Sequence, residues 1–196
     1  MATAVNPATS AGISIGSSLG AVADWLRRIT VRVGSGEAHG SGVVWRADGL
    51  IVTNAHVATG QTHDVEFADG HKLEGWVVAR NPKIDLAALA VPAKGLFAAS
   101  SRSARTLRAG EMVIAVGNPW GEAGAVSTGI VHRRVGRRPW LIADIRLAPG
   151  NSGGPLSDAE GNVVGINCMV INGFGCAVTT DAIERFLRTV RLAEAI

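Results

Sequence analysis

The sequence predicts an all-β fold of two packed six-stranded antiparallel β-barrels with a C-terminal α-helix. Short β-rich runs separated by turn signals form two blocks, with a segment rich in Ser, Arg and Ala between them. Near the C-terminus the apolar spacing changes from that of strands to that of a helix. These two observations define the fold class.

The predicted strands are short, and turn residues separate them. In the first block they cover residues 29–34, 42–45, 50–53, 64–68, 73–80 and 86–91. Asp48-Gly49 and Asp69-Gly70 are strong hairpin signals that join neighbouring strands. In the second block the predicted strands cover residues 112–116, 125–135, 140–147, 163–170 and 174–178.

The chain divides into five predicted segments. They are a flexible N-terminal arm (1–20), an N-terminal barrel (21–97), a linker (98–110), a C-terminal barrel (111–179) and a terminal helix (180–196). Residues 24–28 are expected to form a short helical turn before the first strand. Asp181, followed by Glu184 three residues later, matches a carboxylate cap for the terminal helix.

Composition excludes several classes of protein. With 47% apolar and 18% charged residues, the 196-residue chain is expected to be globular rather than disordered. No apolar run reaches the roughly 18 residues that span a bilayer, so no membrane association is expected. A net charge of +3 gives no reason to expect a nucleic-acid partner. The first twenty residues lack a secretory signal, which predicts a cytoplasmic protein, or a periplasmic or secreted one if a leader has been removed.

The segment Gly150-Asn151-Ser152-Gly153-Gly154-Pro155 is the strongest functional motif. Its glycines allow a sharp turn that can expose the Ser152 hydroxyl and direct nearby N–H groups towards one point. A base and an orienting acid are available earlier in the chain, in His56 and Asp85. Residues 150–154 also fit the nucleophile elbow of α/β-hydrolases, which requires a histidine after the serine. All five histidines precede Ser152, so that alternative fails.

With the order His56, Asp85, Ser152 in a β-rich chain, the sequence resembles trypsin-like serine proteases of the HtrA (Deg) branch. Five motifs over roughly residues 20–190 carry the resemblance: Gly40-Ser41-Gly42, residues 48–57, residues 85–89, residues 115–121 and residues 149–155. It implies a chymotrypsin-like double barrel with the site in the cleft between the barrels. It also implies a PDZ domain after the protease, which this sequence does not contain.

The resemblance assigns a role to each residue of the site. Ser152 is the expected nucleophile, His56 its general base and Asp85 the group that orients His56, with oxyanion donors at Gly150 and Ser152. No metal or cofactor is expected. Asn151 stands where digestive relatives have an aspartate, so activation by N-terminal cleavage is not expected. Protein or peptide substrates and a trimeric homo-oligomer follow from the resemblance alone.

The substrate pocket is expected to involve five residues: Arg146, Leu147, Met169, Val170 and Phe174. Its apolar members favour a small or medium apolar side chain. Arg146 would select an acidic side chain if it pointed inwards, and would be a surface charge if it pointed outwards.

The remaining features have simpler interpretations. Cys168 and Cys176 lie on adjacent predicted antiparallel strands, where they could face each other, and are expected to be free buried thiols. His39, His63, His71 and His132 show no metal-ligand spacing and are expected to be exposed. Residues 132–138 form a basic cluster, interpreted as a solvated hairpin, with an acidic partner or nucleic acid as the alternative. The alternative function for the whole chain is a catalytically silent scaffold on a protease fold.

Overall fold

A computed structural model describes residues 15–35, 38–119, 124–135 and 139–189. The helices are α1 (Ile15–Ile29) and α2 (Thr180–Leu187), and a 3₁₀ turn covers Ala104–Thr106. The first six strands are β1 (Thr30–Ser35), β2 (Ala38–Arg46), β3 (Leu50–Thr53), β4 (Thr62–Glu66), β5 (Lys72–Asn81) and β6 (Leu86–Ala90). The others are β7 (Met112–Gly117), β8 (Ala125–Arg134), β9 (Trp140–Asp144), β10 (Pro155–Asp158), β11 (Val163–Ile171) and β12 (Phe174–Thr179).

The strands form two closed barrels, which confirms the predicted fold class. The first barrel has the order β1-β2-β3-β6-β5-β4, and the second has the order β10-β11-β12-β9-β8-β7. Neighbouring strands are antiparallel throughout both barrels. Because each barrel is closed, neither has a free edge strand on which another chain could pair.

Three groups of buried side chains hold the molecule together. One fills the first barrel and includes Ile51 and Leu89, and one fills the second and includes Leu141 and Leu156. The third contains residues of both barrels and of both helices. Burial of this shared group fixes one barrel against the other, and with it the geometry of the cleft between them.

Helix α1 belongs to this shared core. Leu26 and Ile29 are fully buried, while Asp24 and Arg27 lie on the exposed face and pair with each other. Arg27 and Arg28 occupy the last turn, where positive charge is favourable next to the helix C-terminus. Leu19, Val22 and Trp25 also pack against this core, which explains why the helix extends well beyond the short turn expected over residues 24–28.

The ends of the chain differ from the sequence predictions. The expected flexible arm included residues 15–20, which are the first residues of α1, and residues 1–14 lie outside the described part. At the other end, Thr179 rather than Asp181 is the N-cap of α2, without a side-chain capping bond. Asp181 lies inside the first turn and instead accepts a hydrogen bond from Ser103. The predicted helix over 180–196 is observed to Leu187, and residues 190–196 are not described.

Two strands of the second barrel also differ from the prediction. Strand β10 was missed because it is only four residues long, begins with proline and is buried on both faces, so it shows no alternating pattern. Strand β9 ends at Asp144 rather than at residue 147, which leaves residues 145–154 as the loop before β10. Among the described residues no helix has the length and apolar character needed to cross a membrane.

We expect Leu26→Ala to lower the free energy of unfolding by about 2–5 kcal/mol, because it leaves a cavity in the core shared by both barrels. Asp24→Ala on the exposed face of the same helix should change it by no more than about 1 kcal/mol. Urea unfolding of both variants measures this. Equal small effects would mean that α1 does not pack on the barrels in solution.

Candidate active site

The fold brings His56 and Asp85 together at one end of a pair of strands. His56 lies three residues after β3, and Asp85 immediately precedes β6. Strands β3 and β6 are antiparallel neighbours, with Thr53 opposite Ala87. The end of one and the start of the other therefore meet at the same edge of the first barrel.

The two side chains form a hydrogen-bonded pair. Nδ1 of His56 lies 2.8 Å from Oδ2 of Asp85, and the His56 backbone N–H donates to Oδ1 at 3.1 Å. The Asp85 side chain is 15% exposed and that of His56 is 50% exposed. With Nδ1–H donated to the carboxylate, the lone pair of the neutral ring is at Nε2, which faces away from Asp85.

The backbone around this pair is held by hydrogen bonds from two polar side chains, Asn54 and Arg80. Asp85 has a φ of 55°, a left-handed conformation that aspartate tolerates better than most residues. The amide of Asn54 donates to the Asp85 carbonyl at 2.9 Å. Arg80 donates two hydrogen bonds, of 2.9 and 2.8 Å, to the carbonyl of Ala55, the residue before His56. These contacts fix the position of the histidine relative to the carboxylate.

Ser152 lies in the loop between β9 and β10 of the second barrel, and this loop is hydrogen-bonded to the first barrel. The backbone N–H of Ser41, on β2, donates to the Ser152 carbonyl at 2.7 Å. Gly153 has a φ of +88°, and a Cβ there would lie 1.9 Å from the carbonyl oxygen of Ser41. Only glycine therefore fits directly after the serine.

The residues just before Ser152 form a type II turn. Asn151 N–H donates to the Ala148 carbonyl at 3.0 Å, Pro149 is the second residue of the turn, and Gly150 is the third with a φ of +103°. A type II turn requires this positive φ, whereas a type I turn has a negative φ and turns the central peptide over. The Pro149–Gly150 peptide thus has a defined orientation, which could not be predicted from the sequence.

The Ser41 hydroxyl stabilises this turn. It donates to the Gly150 carbonyl at 2.7 Å and accepts from the backbone and side-chain N–H groups of Asn118 at 3.0 and 3.1 Å. Ser41 is fully buried, so one donor and two acceptor positions of a single hydroxyl are all used. One side chain of the first barrel therefore connects two loops of the second.

The backbone N–H groups of Gly150 and Ser152 have no acceptor among the described residues, whereas those of Asn151, Gly153 and Gly154 all do. Two unpaired donors two residues apart, on either side of Asn151, can stabilise a negatively charged oxygen next to the serine. This is the arrangement expected for an oxyanion hole.

The Ser152 hydroxyl itself donates to the carbonyl of Cys168 at 3.1 Å. Within the described part of the chain it makes no hydrogen bond to His56. A hydrogen bond from the Ser152 hydroxyl to Nε2 of His56 would therefore require rotation of the serine side chain away from Cys168.

A cavity of about 200 Å³ adjoins Ser152. It is lined by Leu147, Ala148, Pro149, Asn151, Ser152, Cys168, Met169 and Val170. Three of the five predicted pocket residues are among them: Leu147, Met169 and Val170. Its wall is mainly apolar, so it is suited to an apolar side chain.

Arg146 and Phe174 do not line this cavity, which corrects two of the pocket predictions. Arg146 is exposed, because it lies just beyond the end of β9 with its neighbour Ile145 turned into the core. Phe174 stacks on His132, with 4.7 Å between ring centroids. The structure therefore favours the surface interpretation of Arg146.

Other predicted features have the following positions. Asn151 is buried, and its Oδ1 has no hydrogen-bond partner among the described atoms. Cys168 and Cys176 are both free and buried. His63 is 3% exposed and accepts from Gly60 N–H, so its predicted exposure was wrong. His132, Arg133 and Arg134 are exposed, while 136–138 of the basic cluster lie outside the described residues.

The sequence did not single out Arg80, Asn54, Ser41 or Cys168 as parts of the site. Asn54 and Ser41 lie within motifs that were noticed, but their contacts depend on the packing of the barrels. Arg80 lies near the end of a strand with no motif around it. In the described part of the chain, no cluster of three or more His, Cys, Asp or Glu side chains could hold a metal ion.

Comparison with known proteins agrees with this architecture. The family profile described as "Trypsin-like peptidase domain" matches residues 40–166. A "Probable periplasmic serine endoprotease DegP-like" of Chlamydia pneumoniae is 37% identical over 146 residues, covering 69% of this chain and 30% of the relative. "Serine protease HTRA1" of Xenopus tropicalis is 36% identical over 163 residues, covering 76% and 35%.

A solved structure, "HtrA-type protease AlgW with tripeptide", superposes with a TM-score of 0.81 at 28% identity. The match covers 88% of this chain and 63% of that one. The chain spans about a third of the length of the curated relatives.

We expect Ser41→Ala to lower the free energy of unfolding by about 1–3 kcal/mol, because Gly150 and Asn118 lose a buried hydrogen-bond partner. The same variant should slow the reaction of Ser152 with a fluorophosphonate about 10-fold or more, because the turn beside the serine loses its restraint. Urea unfolding and labelling kinetics measure the two effects.

Ser157→Ala is the matched control, since Ser157 is also fully buried in the second barrel and its hydroxyl bonds only to Ile114 and Asp158. It should destabilise the protein without slowing the labelling. Equal labelling of the two variants would show that Ser41 has no role in holding the turn.

Proposed function

Because the chain belongs to the trypsin-like peptidase family, with its similarity to HtrA-type proteases, we propose that it is a serine endopeptidase acting on unfolded or exposed protein segments. The observation that carries this proposal is that the barrel that holds the His56–Asp85 pair also binds the Ser152 loop through Ser41, and that the N–H groups of Gly150 and Ser152 have no acceptor among the described residues. No cofactor is needed for the reaction that these groups support.

In the proposed reaction His56 accepts the hydroxyl proton at Nε2 as Ser152 Oγ attacks the scissile carbonyl. Asp85 keeps Nδ1 protonated and stabilises the imidazolium that forms. His56 then donates the proton to the leaving amine, which leaves an acyl-enzyme. Water, activated by the same histidine, hydrolyses the acyl-enzyme and regenerates the serine.

The developing negative charge on the carbonyl oxygen is stabilised by the N–H groups of Gly150 and Ser152. The loss of a single donor of this kind costs roughly 10²–10³ in turnover. In the type II turn, Gly150 is already in the positive-φ conformation, so we propose that the hole is formed before substrate binds. The rotation of the Ser152 side chain is then the main rearrangement that precedes attack.

Location, oligomeric state and partners are further parts of the proposal. The DegP-like relatives are named as periplasmic, so we propose a periplasmic or secreted location in place of the cytoplasmic one expected from the sequence. Protein segments are the proposed substrates. A homotrimer remains a proposal from the HtrA resemblance. The buried, uncharged Asn151 is consistent with activation that needs no newly cut N-terminus.

We expect wild-type protein to be labelled covalently by a fluorophosphonate and to cleave an unfolded protein such as casein. Ser152→Ala should abolish both, and Asp85→Asn should lower turnover by about 10⁴-fold, because the histidine loses its orienting charge. Gel fluorescence and casein digestion measure these effects.

His71→Ala is the matched control, because His71 also pairs with an aspartate, Asp69, but on an exposed hairpin. It should leave both activities unchanged. Absence of labelling in folded wild-type protein would contradict the protease proposal and favour the silent scaffold.

We expect a peptide library to show preference for a small or medium apolar residue before the scissile bond, because Leu147, Met169 and Val170 line the cavity. Arg146→Ala should leave this preference unchanged, because the side chain is exposed. Leu147→Arg places a charge on the cavity wall and should shift the preference towards acidic residues. An acidic preference in wild type that is lost in Arg146→Ala would contradict the geometry.

A further inference from the structure

The two cysteines occupy an unusual place, between the catalytic serine and the core shared by the barrels. Cys168 lines the cavity beside Ser152, and its carbonyl accepts the Ser152 hydroxyl. Cys176 lies behind it on β12. Both side chains belong to the shared core and are 4% and 1% exposed. The proposed hydrolysis uses neither thiol.

Strand alternation brings the two side chains to the same face, because each lies two residues along its strand from the opposed pair Ile166 and Val178. Asn167 is opposite Ala177 and Met169 is opposite Cys176, so Cys168 is the extra residue of β11 at this point. In a bulge two residues of one strand face a single residue of the other, so Cys168 and Met169 both face Cys176. The register before the bulge, with Asn167 opposite Ala177, leads directly to Cys168 opposite Cys176.

The two thiols are in contact. The Cys168 thiol donates to the carbonyl of Cys176 at 3.1 Å. A hydrogen bond with the Cys176 thiol, together with burial, raises the pKa of Cys168 above its usual range, and the same bond lowers the pKa of Cys176. The Cys168 side chain therefore lies directly against Cys176, the residue to which a disulfide would join it.

We propose that Cys168 and Cys176 form a redox modification site, in which a small oxidant such as hydrogen peroxide converts the two thiols into a disulfide that slows the reaction of Ser152. The cavity lined by Cys168 brings a molecule of this size to Cys168, which lies directly against Cys176.

The chemistry balances with peroxide as the only co-reactant. The Cys176 thiolate attacks one peroxide oxygen, the O–O bond breaks, and the departing hydroxide takes up a proton to become water. The sulfur of Cys168 then attacks the sulfenic acid on Cys176. The S–O bond breaks, and the hydroxide leaves as water with the Cys168 proton. Two thiols are oxidised by two electrons in total, and one peroxide is reduced to two waters.

The disulfide affects the site through Cys168. An S–S bond of about 2.05 Å is much shorter than the contact between two thiols, so its formation draws Cys168 towards β12. The Cys168 carbonyl that holds the Ser152 hydroxyl and the adjacent cavity wall move with it. Displacement of catalytic groups by even 1 Å can cost about 10²-fold in rate.

The site is tested by treating the reduced wild-type protein with hydrogen peroxide, denaturing it, alkylating it with iodoacetamide and measuring its intact mass. The expected product is a monomer that has lost two hydrogen atoms, carries no alkyl group and returns to the dithiol form with a phosphine reductant. Cys176→Ser should instead give no such product. Two alkylated thiols after peroxide, or independent sulfinic acids, would overturn the site.

The effect on Ser152 is tested by the fluorophosphonate labelling rate of the oxidised protein, and this part rests on the proposed function. The rate should fall about 10-fold or more and recover on reduction. An unchanged rate in fully oxidised protein would overturn the coupling. Ser152→Ala should form the same disulfide. The mass measurement therefore tests the redox site independently of the protease proposal.

Discussion

The site depends on the contact between Ser41 of the first barrel and the serine loop of the second. The Ser41 backbone N–H donates a hydrogen bond to the Ser152 carbonyl, and the Ser41 hydroxyl donates one to the Gly150 carbonyl. The Ser41 carbonyl accepts in turn from the Thr53 hydroxyl at 2.6 Å, at the end of the strand that leads to His56. Ser152 and the strand that leads to His56 are therefore both positioned by Ser41.

This constraint explains why the cleft between two separately closed barrels can hold a precise geometry. The first barrel alone positions His56 and Asp85, because β3 and β6 are neighbours. The second alone provides the loop with Ser152. The relative placement of the two depends on the shared core and on the buried hydrogen bonds of Ser41 and Asn118, which strengthen in surroundings that exclude water.

The same packing connects the redox pair to catalysis. Cys168 belongs to the shared core by its side chain and to the site by its carbonyl. A change in its side-chain chemistry therefore reaches Ser152 through a single residue. No long pathway through the protein is required for this coupling.

The sequence was sufficient to predict the two barrels, because strand periodicity and turn signals are local information. The order of its motifs also singled out His56, Asp85 and Ser152, whose roles belong to the proposed function. It could not predict which side chains meet across the barrels. The three hydrogen bonds of the Ser41 hydroxyl are of this kind, as are the two bonds from Arg80 to Ala55.

The sequence also could not predict the direction of a side chain at the end of a strand. Arg146 turns outwards because β9 ends at Asp144 rather than at residue 147. The orientation of the peptide before Gly150 could not be predicted either, because glycine permits both orientations.

The central claim is that Ser41 holds the Pro149–Gly150 turn in an orientation that gives Ser152 a formed oxyanion hole. A crystal structure of the protein covalently modified by a fluorophosphonate tests it most directly. The account predicts the phosphonyl oxygen about 2.7–3.1 Å from both Gly150 N and Ser152 N, with the Gly150 carbonyl still bonded to Ser41. A turn with the peptide reversed, and Gly150 N–H directed away from the phosphonyl oxygen, would contradict it.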